Sequence, residues 1–317
     1  MTPDLAVIIP TFKRTDSLER LLDHLEAQQG VSLEVIVVDQ NEPGYFAGSL
    51  LQKLQQLIWV KQPVPNASVA RNNGFAHSTA PHILFVDDDL VPEPKFCAEG
   101  LNIFKTHQDI KCFVPLVYAH SGKSLALQSG KEKFTEEHSS GTGIFGITET
   151  ISACIFFERS YYQQSGGFDE LLFEFAKTSE DQEFFLRMRT NGLKLWLVPS
   201  IEIFHDEKVG GGCELRTAGY WNTRTKCMRA IALRHRIHKD QPGALSLSDL
   251  LQLSRSSFLN KRAITSGVGN LVSELRLLKK SIDESRTFFE ANRNVYTSGK
   301  PDFLKNHSKK KQQVTNY

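Results

Sequence analysis

Three short apolar runs constrain this chain more than any other feature: "LAVIIP" (5–10), "LEVIVVD" (33–39) and "HILFVD" (82–87). Each is nearly continuous rather than alternating, which suits a strand covered on both faces, as in a parallel sheet. Helical patterns lie between them. Leu18, Leu21, Leu22 and Leu25 recur at helical spacing after an Asp16-x-x-Glu19 capping pattern. A helix near 46–57 and a short strand at "LIWVK" follow, and "NASVARNNGFAHS" (66–78) opens on Asn66, a good N-cap. This rhythm predicts a doubly wound α/β sheet with right-handed crossovers. Ligands of such sheets sit at the carboxyl ends of the strands, where Thr11, Asp39 and Asp87 fall.

The third run ends in Asp87, Asp88 and Asp89, with Pro92 and Pro94 just beyond. At ~4 Å and an effective dielectric of ~20, adjacent like charges repel by on the order of 4 kcal/mol. If the strand continues, Asp87 and Asp89 share one face and Asp88 takes the other. Two carboxylates so placed suit Mg²⁺ or Mn²⁺, which bind one or two carboxylates together with waters and phosphate oxygens. The competing reading is a turn, since aspartate favours loop starts.

Farther on, residues 118–150 are rich in Gly, Ser and Lys and read as loops or a small mixed sheet. "ISACIFFE" (151–158), "KLWLVP" and "IEIFH" read as strands. In "TSEDQEFFLRM", Ser179 with Gln182 makes a capping box, so a helix is expected to start near Glu180. Its apolar stripe, Phe184, Phe185 and Met188, puts Asp181 at the start of the inward face and Glu180, Glu183 and Arg187 on the other. Beyond 216 the pattern is helical, with Leu271, Leu275, Leu278 and Ile282 amphipathically spaced. His235 and His238 read as surface residues of a basic helix.

Charge divides the 317 residues. Residues 216–317 hold 20 Lys/Arg against 7 Asp/Glu, a formal +13; residues 1–215 hold 18 against 29, or −11. A basic segment can meet a membrane surface or another anionic partner. Five scattered cysteines without metal-type spacing read as reduced, buried thiols, and no apolar run approaches the ~20 residues of a membrane span. A cytoplasmic chain, or one peripheral on the inner face of a membrane, is expected, and nucleic acid is not expected as a partner.

The stretches "VIIPTFKR", "VIVVDQ", "NASVARNNGFAHS", "ILFVDDDL", "ISACIFFERSYYQQSGGFDE", "SEDQEFFLRM" and "LVPSIEIFHDE" together resemble the inverting, GT-A fold glycosyltransferases of family 2, over about 8–207. The resemblance implies a Rossmann-like, mostly parallel sheet flanked by helices. Residues 1–215 would form the GT-A domain, with a nucleotide-binding half (1–117) and an acceptor or catalytic half (118–215). Residues 216–317 would form a basic helical extension. It further implies an inverting, metal-dependent hexosyltransferase that moves a sugar from a nucleotide-diphospho-sugar, here expected to be a UDP-sugar, to a glycan or lipid-linked acceptor in polysaccharide or glycolipid assembly.

Carried over residue by residue, the resemblance assigns Pro10, Thr11, Arg14 and Asp39 to the nucleotide base. Asp39 departs from the common pattern in being followed by Gln40-Asn41-Glu42. Arg71 is assigned to base or diphosphate, Asp87 to ribose, Asp88 to the sugar-nucleotide and Asp89 to Mg²⁺ or Mn²⁺. His205 is implied as a metal or diphosphate ligand, against the alternative of an ordinary strand-end histidine. Asp181 is implied as catalytic base, and Gly167, Asp169 and Glu180 as neighbours of donor sugar or acceptor. Gly210, Gly211 and Gly212 would be a lid hinge or a plain loop. The C-terminal helices would touch the membrane, pair subunits or cover the acceptor. Two other classes compete. A sugar-phosphate nucleotidyltransferase wants a glycine-rich loop after the first strand, which "PTFKRTDS" lacks; a non-catalytic sugar-nucleotide-binding module would be signalled by loss of Asp89 or Asp181, and both are present.

Overall fold

A computed structural model describes residues 2–119, 143–148, 150–206, 226–227, 229–231, 268–296 and 301–308. The chain forms two compact units, one of Met1–Phe168, Lys194–Glu214 and Phe303–Tyr317, the other of Asp169–Leu193 and Leu215–Asp302. In chain order the elements are β1 (Leu5–Thr11), α1 (Thr15–Glu26), β2 (Leu33–Asp39), α2 (Gly48–Gln55), β3 (Ile58–Lys61), α3 (Ala67–His77), β4 (His82–Val86), β5 (Leu90–Val91), α4 (Phe96–Thr106), β6 (Cys112–Ala119), β7 (Phe145–Ile147), β8 (Cys154–Glu158), α5 (Arg159–Ser165), α6 (Glu170–Ala176), α7 (Glu180–Thr190), β9 (Leu195–His205), α8 (Val268–Ala291), α9 (Arg293–Tyr296) and α10 (Lys305–Ser308).

The first unit is built on a nine-stranded sheet in the order β3-β2-β1-β4-β8-β6-β9-β5, with β7 also on β9. The expected α/β sheet flanked by helices is therefore present. Strands β1 to β4 pair in parallel, as their continuous apolar runs require. The other half is mixed: β8 is antiparallel to β4 and β6, while β9 runs parallel to β6. The predicted strands "KLWLVP" and "IEIFH" are one strand, β9, whose pairing with β6 jumps from Pro115↔Val198 to Leu116↔Glu202. Pro199 lies in that jump; it has no N–H for a ladder, so the chain bulges there instead of stopping.

Leu18, Leu21, Leu22 and Leu25 of α1 are buried, each worth about 1.5–3 kcal/mol relative to exposure. The expected capping pattern is not made: Arg14 occupies the N-cap and its side chain does not cap the helix, and Asp16 lies within the first turn. In α3 the expected cap is made, with Asn66 Oδ1 accepting from Val69 N at 3.0 Å. Gly74 lets α3 lie close on β1, since a Cβ there would stand 2.3 Å from Ile8 Cγ2.

In the second unit, Phe175 stacks on Phe288 at 4.6 Å, and Phe288 and Phe289 pack around Tyr296. Helix α8 turns Ser281, Ser285 and Phe289 inward, with Ile282 half-buried. The side chains of Leu271, Leu275 and Leu278, and residues Gly210–212, His235 and His238, lie outside the described residues. Helix α7 starts at Glu180 as expected, but without the expected cap: Ser179 is left-handed (φ 61°) and makes no side-chain bond. The expected outward face is also wrong for two residues. Glu183 is 0% and Arg187 3% exposed, because they neutralise each other one helical turn apart. The described cysteines are buried thiols, and among the described residues no helix is long and apolar enough to cross a membrane.

Candidate active site

The parallel strands end together. Across β1 and β2, Pro10 pairs with Val38 and Thr11 with Asp39; β4 stops at Val86. The chain then turns, with Leu90 N donating to Asp87 O at 3.3 Å and Asp87 N to Ala153 O at 2.8 Å. The strand does not continue through the aspartates, so the expected alternation fails. Asp88 and Asp89 share Arg14, at 3.1 and 2.6 Å from its Nη1, while Asp87 faces Arg71 at 3.1 Å. Thr11 Oγ1 donates to Asp88 Oδ2 at 2.7 Å. Arg71 is buried and lies over the ring of Phe168.

These partners answer much of the repulsion, and protonation answers more. Burial pushes the Asp88 carboxyl up to about 7 against the pull of Arg14, and Asp87, a third of whose side chain is exposed, up to about 6. Burial works against the charge on Arg14, but Asp88 and Asp89 outweigh it and raise its pKa.

Asp89 is different. Its Oδ2 meets Arg14, but its buried Oδ1 has no hydrogen-bond partner and lies 3.4 Å from His205 Nε2. The short strand β5 brings the two together by pairing Leu90 with His205 at the end of β9. Asp206 N then donates to Asp89 O at 3.0 Å, and Arg20 binds the Asp206 carboxylate at 2.5 Å. A buried carboxylate oxygen without a donor beside an imidazole fits a small divalent cation. Among the described residues no group of three or more His, Cys, Asp or Glu could hold a metal, so Asp89 and His205 would be its only such ligands there.

Asp39, paired in register with Thr11, has a separate set of hydrogen-bond partners. It is fully buried, and Oδ1 accepts Asn41 N at 2.9 Å and Asn41 Nδ2 at 2.8 Å. Its Oδ2 accepts Trp59 Nε1 at 3.2 Å and Lys61 Nζ at 2.5 Å. Gly167 is left-handed (φ 77°), and a Cβ there would meet Asn72 Oδ1 at 2.7 Å. Asn72 clamps this turn: its Oδ1 accepts from Phe168 N and Tyr162 Oη, and its Nδ2 donates to Phe168 O.

Asp169, Glu180 and Asp181 belong to the second unit. Asp169 caps α6, accepting from Leu172 N at 2.9 Å and from Tyr296 Oη at 3.0 Å. Glu180 and Asp181 are half-buried in the first turn of α7, with Gln182 N donating to Asp181 Oδ1 at 2.7 Å. Sequence reasoning missed Asn41, Trp59, Lys61, Asn72, Arg20 and Asp206. Asn72 inside "ARN", Asp206 beside His205 in "LVPSIEIFHDE" and Asn41 just after Asp39 stood in stretches already singled out, but without a role of their own.

Solved structures share the fold. Staphylococcus aureus TarS (residues 1–349) matches with a TM-score of 0.61 at 14% identity, over 99% of this chain and 93% of that one. The mannosyltransferase PcManGT from Pyrobaculum calidifontis, solved with GDP-Man and Mn²⁺, matches with a TM-score of 0.57 at 14% identity, over 100% and 89%. In sequence, the chain is 25% identical over 242 residues to the O-antigen biosynthesis protein RfbC of Myxococcus xanthus, covering 69% of this chain. It spans only 19% of that relative's length. The model of the family described as Glycosyl transferase family 2 matches residues 6–166, just over half of the sequence. With the acidic turn, its arginines and the open Asp89 oxygen set at the ends of this sheet, the chain belongs to glycosyl transferase family 2.

Proposed function

We propose that the chain transfers a sugar from a UDP-sugar to a hydroxyl of a glycan or lipid-linked acceptor, with inversion, during cell-surface polysaccharide assembly. The observation that carries this reading is the buried Asp89 Oδ1, without a hydrogen-bond donor and 3.4 Å from His205 Nε2, at the ends of the parallel strands. An inverting hexosyltransferase needs an anion-binding site for the leaving diphosphate and a base for the acceptor. Asp89 and His205 would hold Mg²⁺ or Mn²⁺, whose charge stabilises the departing diphosphate. Arg14 and Arg71 bring fixed positive charge to the same edge. Thr11, Pro10 and Asp39 would line the nucleoside, and Asp87 and Asp88 its ribose and sugar side. Asp181 would take the acceptor proton as the hydroxyl oxygen bonds to the anomeric carbon. The bond from that carbon to the diphosphate oxygen breaks, its electron pair leaving with the diphosphate. Gly167, Asp169 and Glu180 would border sugar or acceptor.

The relatives support the substrate classes. TarS has been solved with UDP-GlcNAc, PcManGT with GDP-Man and Mn²⁺, and RfbC is named for O-antigen biosynthesis. Exposed Arg276, Lys279, Lys280 and Arg286 on α8 suit contact with an anionic membrane that carries a lipid-linked acceptor. The test is a donor panel with Mn²⁺, reading nucleoside diphosphate release. Release from a UDP-sugar that rises when acceptor glycan is added is expected; no release from any sugar nucleotide, with or without acceptor, ends the reading.

A further inference from the structure

The geometry points to Lys61 as the residue that reads the nucleobase. It would leave the Asp39 carboxylate when a base arrives, letting Asp39 accept one ring N–H while Lys61 donates to the adjoining carbonyl. This rests on the donor reading above and concerns which base that site takes.

A carboxylate offers about four lone-pair sites. All four on Asp39 are in use: two by Asn41, one by Trp59 Nε1 and one by Lys61 Nζ. A base N–H can be accepted only if one donor moves. Asn41 is held from both sides, since it is buried and its own Oδ1 accepts from Lys13 N at 2.7 Å. Trp59 donates from a rigid ring on β3. Lys61 alone is long and flexible, and its side chain is 44% exposed. Its ammonium already lies 4.3 Å from the centre of the Trp59 ring, whose face can keep hold of it once it leaves Asp39.

Its departure opens one acceptor position, on Oδ2, with a cation beside it. Uracil and thymine present one ring N–H between two carbonyls, which matches one acceptor flanked by a donor. Guanine presents a ring N–H and an amino group side by side and wants both carboxylate oxygens. Oδ1 stays covered by Asn41, so the guanine amino group would meet donors, donor against donor. Lys61 and Asn41 together therefore select a pyrimidine imide over guanine.

The experiment is calorimetric binding of UDP, GDP and inorganic pyrophosphate to the full chain with Mn²⁺. The unaltered protein is expected to bind UDP at least about tenfold tighter than GDP. Lys61→Met should weaken UDP about tenfold and leave pyrophosphate unchanged. Asn41→Ala, which uncovers part of Oδ1, should narrow the UDP to GDP ratio independently. GDP binding as tightly as UDP overturns the inference. So does Lys61→Met having no effect, or weakening pyrophosphate as much as UDP, which would put the ammonium on the diphosphate. Pyrophosphate binding without base discrimination sinks this inference alone, whereas no binding by any of the three sinks the donor reading itself.

Discussion

The buried acids of the two units meet opposite fates. Glu183 in the second unit finds its counter-charge on its own helix, four residues away. Both oxygens are used, Oε1 by Arg187 Nε at 2.9 Å and Oε2 by Nη2 at 3.2 Å. Asp88 and Asp89 in the first unit borrow Arg14 from a position 74 and 75 residues away, and Asp89 still keeps one oxygen without a donor. A buried acid whose lone pairs are filled by local donors serves the fold. A buried acid with an oxygen left over is set to bind something, because desolvation without a donor is costly unless a ligand compensates it.

Four experiments bear on that contrast. The largest effect is expected at the half-buried acid of α7 that neither pattern describes. Asp181→Asn should cut sugar transfer by about 10²–10⁴-fold, the usual contribution of a general base, with UDP affinity unchanged by calorimetry. Retained turnover would remove the second unit's acids from the chemistry. Next, Glu183→Ala takes from the buried Arg187 the carboxylate that meets it one helical turn away and should cost about 3–5 kcal/mol in urea unfolding. The double change Glu183→Leu with Arg187→Met should cost clearly less, as replacing both charges by apolar side chains removes the need to bury either.

Asp89→Asn should behave in the reverse sense. Arg14 keeps Asp88 and an amide oxygen, so stability should shift by less than about 1.5 kcal/mol, while Mn²⁺ binding followed by calorimetry is lost. A large stability loss with Mn²⁺ binding intact would erase the distinction between the two clusters. The smallest effect is one of pH. Asp88 titrates higher in the fold, at about 7, than its ordinary 3.8. The folded state therefore holds that proton more tightly, and the stability it brings is complete below about pH 4 and lost as pH rises through about 7. In chelator-treated protein, Tm should fall across that window, and Asp88→Asn should flatten the fall; an unchanged slope would mean the carboxyl stays ionised throughout.

How much of this was legible depended on sequence distance. The parallel half of the sheet could be read because β1, β2 and β4 each bury both faces, and only continuous apolar runs do that. Asn66 could be read because a cap acts three residues ahead. Glu183 and Arg187 were misread although the signal was present: their i, i+4 spacing allowed mutual neutralisation, and periodicity alone treats any charge as outward. The turn at Asp87 was open to both readings, and a period of two carries no information on where a strand stops. Lys61 and Trp59 could not be found at all, since nothing in "LIWVK" says which acid the neighbouring strand will present.

What the chain's local pattern decided was the succession of strands and helices and the gathering of acids at a strand end, because periodicity and capping act within a few residues. What only the folded molecule decided was which charges meet. Arg14 reaches Asp89, Lys61 reaches Asp39 and His205 comes beside Asp89 through pairings of β1, β2, β3, β5 and β9. Coulombic attraction and hydrogen bonding depend on separation in space, and strand register sets that separation across spans that no local pattern records.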